Sequence, residues 1–165
     1  MAHFFNGIGN WFKDFGESFV NYFKTMTIKK LEKLLLTLGS LIILIVSLIW
    51  NVYGDTVLKI YVAWLILGLC TGVAGGILTL VGTHFNAFDI KTSGLVLIGV
   101  GSVLSLGNCF TYIYVLINAK TMFASSINYS ASIIVTFLVF NIISFACMVG
   151  GYVLQIIRKA NNLDD

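Results

Sequence analysis

Apolar positions along this chain follow two rhythms. Before residue 27 they recur every third or fourth position among polar ones, and from residue 34 onward they come in long uninterrupted runs. The hydrocarbon core of a bilayer takes roughly 20 apolar residues in helical form. Four runs are that long: 34–53, 57–82, 94–118 and 127–157. None has an acidic or basic residue in its interior; Lys59, His84 and Lys120 lie near span ends. The pattern predicts an all-α integral membrane four-helix bundle over 34–157, with a short tail at 158–165. Gly54, Asp55 and Thr56 are expected to form one tight outer connection and residues 119–126 the other. The fourth run exceeds the hydrocarbon thickness, so it must tilt or project from the membrane.

The N-terminal rhythm predicts a separate amphipathic helix within residues 1–33. At 100° per residue, Phe4, Phe5, Ile8, Trp11, Phe12, Phe15, Phe19 and Phe23 fall, with Tyr22 and Met26, within an arc of about 120°. Asn10, Lys13, Asp14, Glu17, Asn21 and Lys24 oppose them. Such a helix beside a span lies in the interface plane with its aromatic face toward lipid. The alternative is helix-in-groove docking on a partner subunit. Acids and bases nearly balance on its polar face, so it does not read as a polybasic lipid sensor. The residues ahead of the first run, and the lack of a small-residue cleavage site after it, argue against a cleaved signal peptide.

Composition then narrows the class. The 165 residues are 58% hydrophobic and 10% charged, without proline, and mean hydropathy is +0.95. A soluble domain is about a quarter charged, so a soluble enzyme, a disordered chain and a disulfide-stapled domain are excluded. The net charge of +3 forms no basic stripe for nucleic acid. The bases are lopsided instead. Lys29, Lys30 and Lys33 precede the first run, Arg158 and Lys159 follow the fourth, and Lys91 lies in the inner turn. With Lys13 and Lys24 they place both termini in the cytoplasm of a plasma-membrane protein by the positive-inside rule.

Small residues mark the packing surfaces. Gly68, Gly72 and Gly76 repeat at four-residue spacing, a glycine zipper that lets another helix backbone approach closely. Ala146 with Gly150, and Cys147 with Gly151, repeat the spacing in the fourth run. These seams serve either the bundle itself or contacts with another chain. Asn51, Asn108, Asn141 and Gln155 are amides that seek interhelical hydrogen bonds in hydrocarbon. Ser102, Ser105, Asn108 and Thr111 recur at three-residue spacing and are the candidate polar path through the membrane.

Reactive chemistry is sparse. Cys70, Cys109 and Cys147 are scattered within spans and read as small packing residues. With His3 and His84 they make no metal-site spacing. His84 and Asp89 are read as a solvated inner turn, and Asn128-Tyr129-Ser130 carries no weight as a glycosylation acceptor. No catalytic, cofactor-binding or metal residues are assigned. The lack of proline and of interrupted helices removes the usual sign of a secondary transporter's binding site.

Residues 65–105, with two glycine-rich runs, a short Asn/Lys turn and a Lys-x-x-Gly start to the next run, are similar to small four-span membrane proteins of Gram-positive bacteria. The segment FKDFGESF, from Phe12 to Phe19, resembles the N-terminal segment of carbohydrate ABC-transporter permeases, although the permease loop that docks the ATPase is missing. Nine lysines to one arginine fit a low-GC genome. The functional expectation is a non-enzymatic accessory or assembly subunit, partnered by the lipid bilayer and by a second copy or a larger membrane protein, without nucleic acid or cofactor. The alternatives are a small oligomeric channel or transporter component and a bacteriocin or toxin immunity protein.

Overall fold

The structure, a computed structural model, describes residues 13, 14, 16–18, 27–57, 62–84, 92–118, 131–161 and 163. Four long helices carry nearly all of them: α1 Ile28–Val57, α2 Val62–His84, α3 Ser93–Ile117 and α4 Ala131–Ala160. All four are long and apolar enough to cross a membrane. The chain is a multi-pass membrane protein, and among the described residues there is no strand. Of the N-terminal segment, Lys13, Asp14, Gly16, Glu17 and Ser18 are described; they are helical and exposed, with Lys13 Nζ 4.0 Å from Glu17 Oε1. Its aromatic face (Phe4, Phe5, Ile8, Trp11, Phe12, Phe15, Phe19 and Phe23) lies outside the described residues.

Three boundaries in the first two helices differ from expectation. Gly54, Asp55 and Thr56 do not form a connection, because α1 continues through them to Val57. One Gly and one Asp lower helix propensity by about 1 kcal/mol or less each, too little to break a thirty-residue helix. The same helix begins at Ile28 rather than residue 34, since Lys29, Lys30 and Lys33 are good helix formers. His84 closes α2 instead of lying in a turn.

The helix ends are stopped by named groups. Leu31 N donates to Thr27 O at 3.0 Å, opening α1. Asn118 closes α3 twice, through its backbone N at 3.1 Å and its side-chain Nδ2 at 2.9 Å, both onto Tyr114 O. Beyond α4, Leu163 N reaches back to Arg158 O at 3.0 Å, the six-to-one bond of a Schellman ending.

Neighbouring helices run antiparallel. Thr37 and Ser47 of α1 meet His84 and Gly72 of α2 in reverse order, and Asn108 and Gly99 of α3 meet Asn141 and Tyr152 of α4 likewise. The α2–α3 and α1–α4 contacts are the most extensive, α1–α2 and α3–α4 follow, and α4 thereby closes the ring on α1. Water-soluble packing is inverted here: Ser102 is buried with its hydroxyl bonded to Ile98 O, while Val103, the next residue, is 68% exposed. That inversion is what a lipid solvent demands, because hydrocarbon accepts valine and penalises an unpaired hydroxyl.

α1 and α4 outreach the other two helices at the end where α1 begins and α4 finishes. α2 finishes at His84, whose Nε2 is 3.1 Å from Thr37 Oγ1. α1 has already run nine residues by Thr37, about 14 Å at 1.5 Å per residue. α4, joined to α1 through Glu32 and Arg158, extends past the end of α2 as α1 does.

Candidate functional site

The polar residues inside the bundle gather at two depths. The deeper group sits at mid-span, where all four helices contribute. Asn108 Nδ2 of α3 donates to Asn141 Oδ1 of α4, and Asn141 Nδ2 donates to Phe137 O one turn back at 2.9 Å. Ser47 of α1 and Gly72 of α2 complete this level. A Cβ on Gly72 would overlap Ser47 Oγ and lie 3.1 Å from Asn108 Nδ2. Glycine at 72 therefore leaves room for the Ser47 hydroxyl.

The four residues of the candidate polar path all face inward. Ser102 Oγ donates to Ile98 O at 2.9 Å, and Thr111 Oγ1 donates to Gly107 O at 3.1 Å. These bonds back onto the residues' own helix satisfy the hydroxyls without a partner helix. Ser105 Oγ makes no hydrogen bond, nor do Ser47 Oγ, Tyr112 OH and Gln155 Oε1, although all four atoms are buried. Toward the far end the level is roofed by aromatic rings. Trp50 meets Tyr112 edge-on at 5.0 Å and Phe137 at 5.2 Å.

The four-spaced glycines of α2 part company in the fold. Gly68 faces Thr111 and Asn108 of α3, Gly72 lies between α1 and α3, and Gly76 faces Leu44 and Ile43 of α1. All three are buried within the chain's own bundle. Between α2 and α3 the backbones approach closely at Gly75 and Gly101, where a Cβ on either would lie 2.8 Å from the other's carbonyl oxygen. A turn or two away, a Cβ on Gly82 would meet Gly94 O at 3.0 Å. The α2–α3 seam thus pairs Gly68, Gly75 and Gly82 with Asn108, Gly101 and Gly94, a seven-residue period on both helices. That period is the mark of left-handed, coiled-coil-like packing. It was present in the sequence, masked by the more conspicuous four-residue spacing.

The fourth helix distributes its small residues differently from the pairs read in sequence. Ala146 is exposed, and a Cβ on Gly150 would find only Leu35 Cδ1 at an ordinary 3.7 Å. The tight position is Gly151, where a Cβ would lie 2.6 Å from Leu36 Cγ and 3.2 Å from Leu36 N. Ser144 Oγ adds a cross-helix bond to Gly39 O at 2.5 Å. Of the cysteines, Cys109 is buried and Cys147 half-buried, but Cys70 is exposed on the outer surface and is no packing residue. The side chain of Asn51, with Asp89 and residues 128–130, lies outside what is described.

The second polar group was not foreseen. Glu32 of α1 and Arg158 of α4 are 3% and 8% exposed, and they form a two-point ion pair. Arg158 Nε donates to Glu32 Oε2 at 2.7 Å and Nη2 to Oε1 at 3.3 Å. In sequence both look like charges flanking a span. A carboxylate among three lysines, two residues before the apolar run, gave no sign of burial.

No group of three His, Cys, Asp or Glu among the described residues is placed to hold a metal ion. No protein-family model, curated protein or solved structure matches this chain.

Proposed function

We propose that the chain is a non-enzymatic accessory or assembly subunit of the plasma membrane, with both termini cytoplasmic. One observation carries this reading: the mid-span polar groups are turned inward and packed against neighbouring helices at van der Waals distance. The bundle is then a self-contained membrane body whose outer surface remains for lipid and for other chains. The glycines of α2 are used inside the chain, so association with another subunit falls to the outer faces and to the amphipathic N-terminal helix.

Crosslinking in native membranes, followed by purification in mild detergent and mass spectrometry, tests this directly. A stoichiometric second copy or larger membrane protein is the expected result. A monodisperse single chain without a crosslinked companion sinks the proposal.

A second reading, a small oligomeric channel component, is favoured by the four unpartnered buried atoms on Ser47, Ser105, Tyr112 and Gln155. Solute flux through liposomes at high protein density separates the two. A tight bilayer removes the channel and leaves the accessory role standing.

A further inference from the structure

The helices of the bundle meet in two ways. Inside two pairs, α1 with α4 and α2 with α3, glycine brings backbone against backbone. A Cβ on Gly39 would lie 2.8 Å from Ser144 O and 3.1 Å from Met148 N, and one on Gly151 would lie 3.2 Å from Leu36 N. Gly75 with Gly101, and Gly82 with Gly94, do the same between α2 and α3. Across the pairs, glycine meets side chains instead. Gly72 faces the Ser47 side chain, Gly76 faces Leu44 and Ile43, and Gly99 faces the Tyr152 ring. The contacts inside the pairs are also the more extensive.

Polar bonds follow the same division. The Glu32–Arg158 ion pair and the bond from Ser144 Oγ to Gly39 O fix α1 to α4. Between the pairs run the Thr37–His84 contact at the surface and the neutral Asn108–Asn141 bond inside. A backbone contact yields only when a whole helix moves, whereas side chains pass between rotamers. Packed helices shift against one another by about 1–2 Å on such side-chain interfaces.

The interior holds a second acceptor for that shift. Ser47 Oγ and Asn108 Nδ2 flank one point, the position a Cβ on Gly72 would take; Nδ2 is 3.1 Å from it and Oγ is nearer. Ser47 Oγ is buried and makes no hydrogen bond. Ser47 and Asn141 both belong to the α1–α4 pair, while Asn108 belongs to α2–α3. Moving Asn108 from one acceptor to the other exchanges one neutral bond for another and leaves both glycine seams and the ion pair untouched.

We propose that α1 with α4 and α2 with α3 are two rigid bodies that shear against each other, the Asn108 amide passing between Asn141 Oδ1 and Ser47 Oγ. The bundle then has two discrete arrangements of equal hydrogen-bond number, a two-state element built into its middle.

The test is nitrogen-15 relaxation dispersion and exchange spectroscopy on the full chain in lipid nanodiscs, which together cover microseconds to seconds. Exchange at one common rate is expected at the Asn108 side-chain amide and at the backbone of Gly72, Gly76 and Gly99. Gly39, Gly75 and Gly101, inside the pairs, should show none. Ser47→Ala removes the second acceptor and should abolish exchange at the Asn108 amide. Asn141→Leu should instead leave a single Asn108 resonance at the shift of the minor state. An Asn108 amide without exchange in the wild-type chain overturns the proposal. Equal exchange at the glycines inside the pairs also overturns it, because the pairs are then not rigid. Exchange that persists unchanged in Ser47→Ala removes the acceptor swap and with it the two-state element.

Discussion

The bundle has two buried polar centres, and they solve the same problem differently. At mid-span, Asn108 and Asn141 share a neutral hydrogen bond between α3 and α4, ringed by Ser47 and Gly72. Near the termini, Glu32 and Arg158 share a two-point ion pair between α1 and α4. The neutral pair lies where all four helices are present, so its amides can be enclosed without burying charge. The charged pair lies beyond the last residue of α2, where the desolvation of two ions is offset by their two-point contact. Position along the bundle thus goes with the chemistry that joins α4 to its neighbours.

This contrast is broken most severely at the charged centre. Replacing Glu32 or Arg158 singly (Glu32→Ala, Arg158→Met) strands an unpaired buried charge and should cost about 3–5 kcal/mol. The double replacement Glu32→Leu with Arg158→Met should recover most of that loss. Unfolding in mixed micelles, followed by the fluorescence of the buried Trp50, measures both. If the single variants unfold like wild type, the pair does not bear on stability.

The next effect concerns the seam that brings the mid-span centre together. Gly101→Leu forces a side chain against the Gly75 carbonyl, which is backbone and cannot rotate away. Overpacking of this kind costs about 1–3 kcal/mol. Gly150→Ala, where only a 3.7 Å contact waits, should be tolerated within about 0.5 kcal/mol. Equal tolerance of the two substitutions would show that the seven-residue seam does not govern α2–α3 packing.

The smallest effect is expected at the amide pair. Asn141→Leu removes one interhelical bond and leaves Asn108 Nδ2 without its acceptor, at about 1 kcal/mol. Replacing both asparagines by leucine should return close to wild-type stability, because neither amide is then stranded. A coupling energy as large as that of the ion pair, read from the double-mutant cycle, would erase the distinction between the centres.

The expected and observed architectures agree where lipid alone sets the rule. The four helices were legible because a span must be long, apolar and continuously hydrogen-bonded. The inward turn of Asn108, Ser105, Ser102 and Thr111 was legible as polar residues sharing a side of one helix. The helix running through Gly54, Asp55 and Thr56 was not, because turn-forming composition competes there with a long helix already propagating. Cys70 was misassigned because a small thiol is indifferent between lipid and protein neighbours.

What the residues determined by themselves is the solvent, the number of helices and which side chains avoid lipid. Each follows from local length and polarity, without knowledge of any neighbour. What only the tertiary structure decided is pairing. The match of Gly75 with Gly101, the separation of Gly68, Gly72 and Gly76 onto different partners, and the union of Glu32 with Arg158 depend on helix rotation and axial offset. Those quantities are set by the sum of contacts across the whole bundle. Two charges 126 positions apart in the chain become one buried pair only when α4 closes the ring on α1.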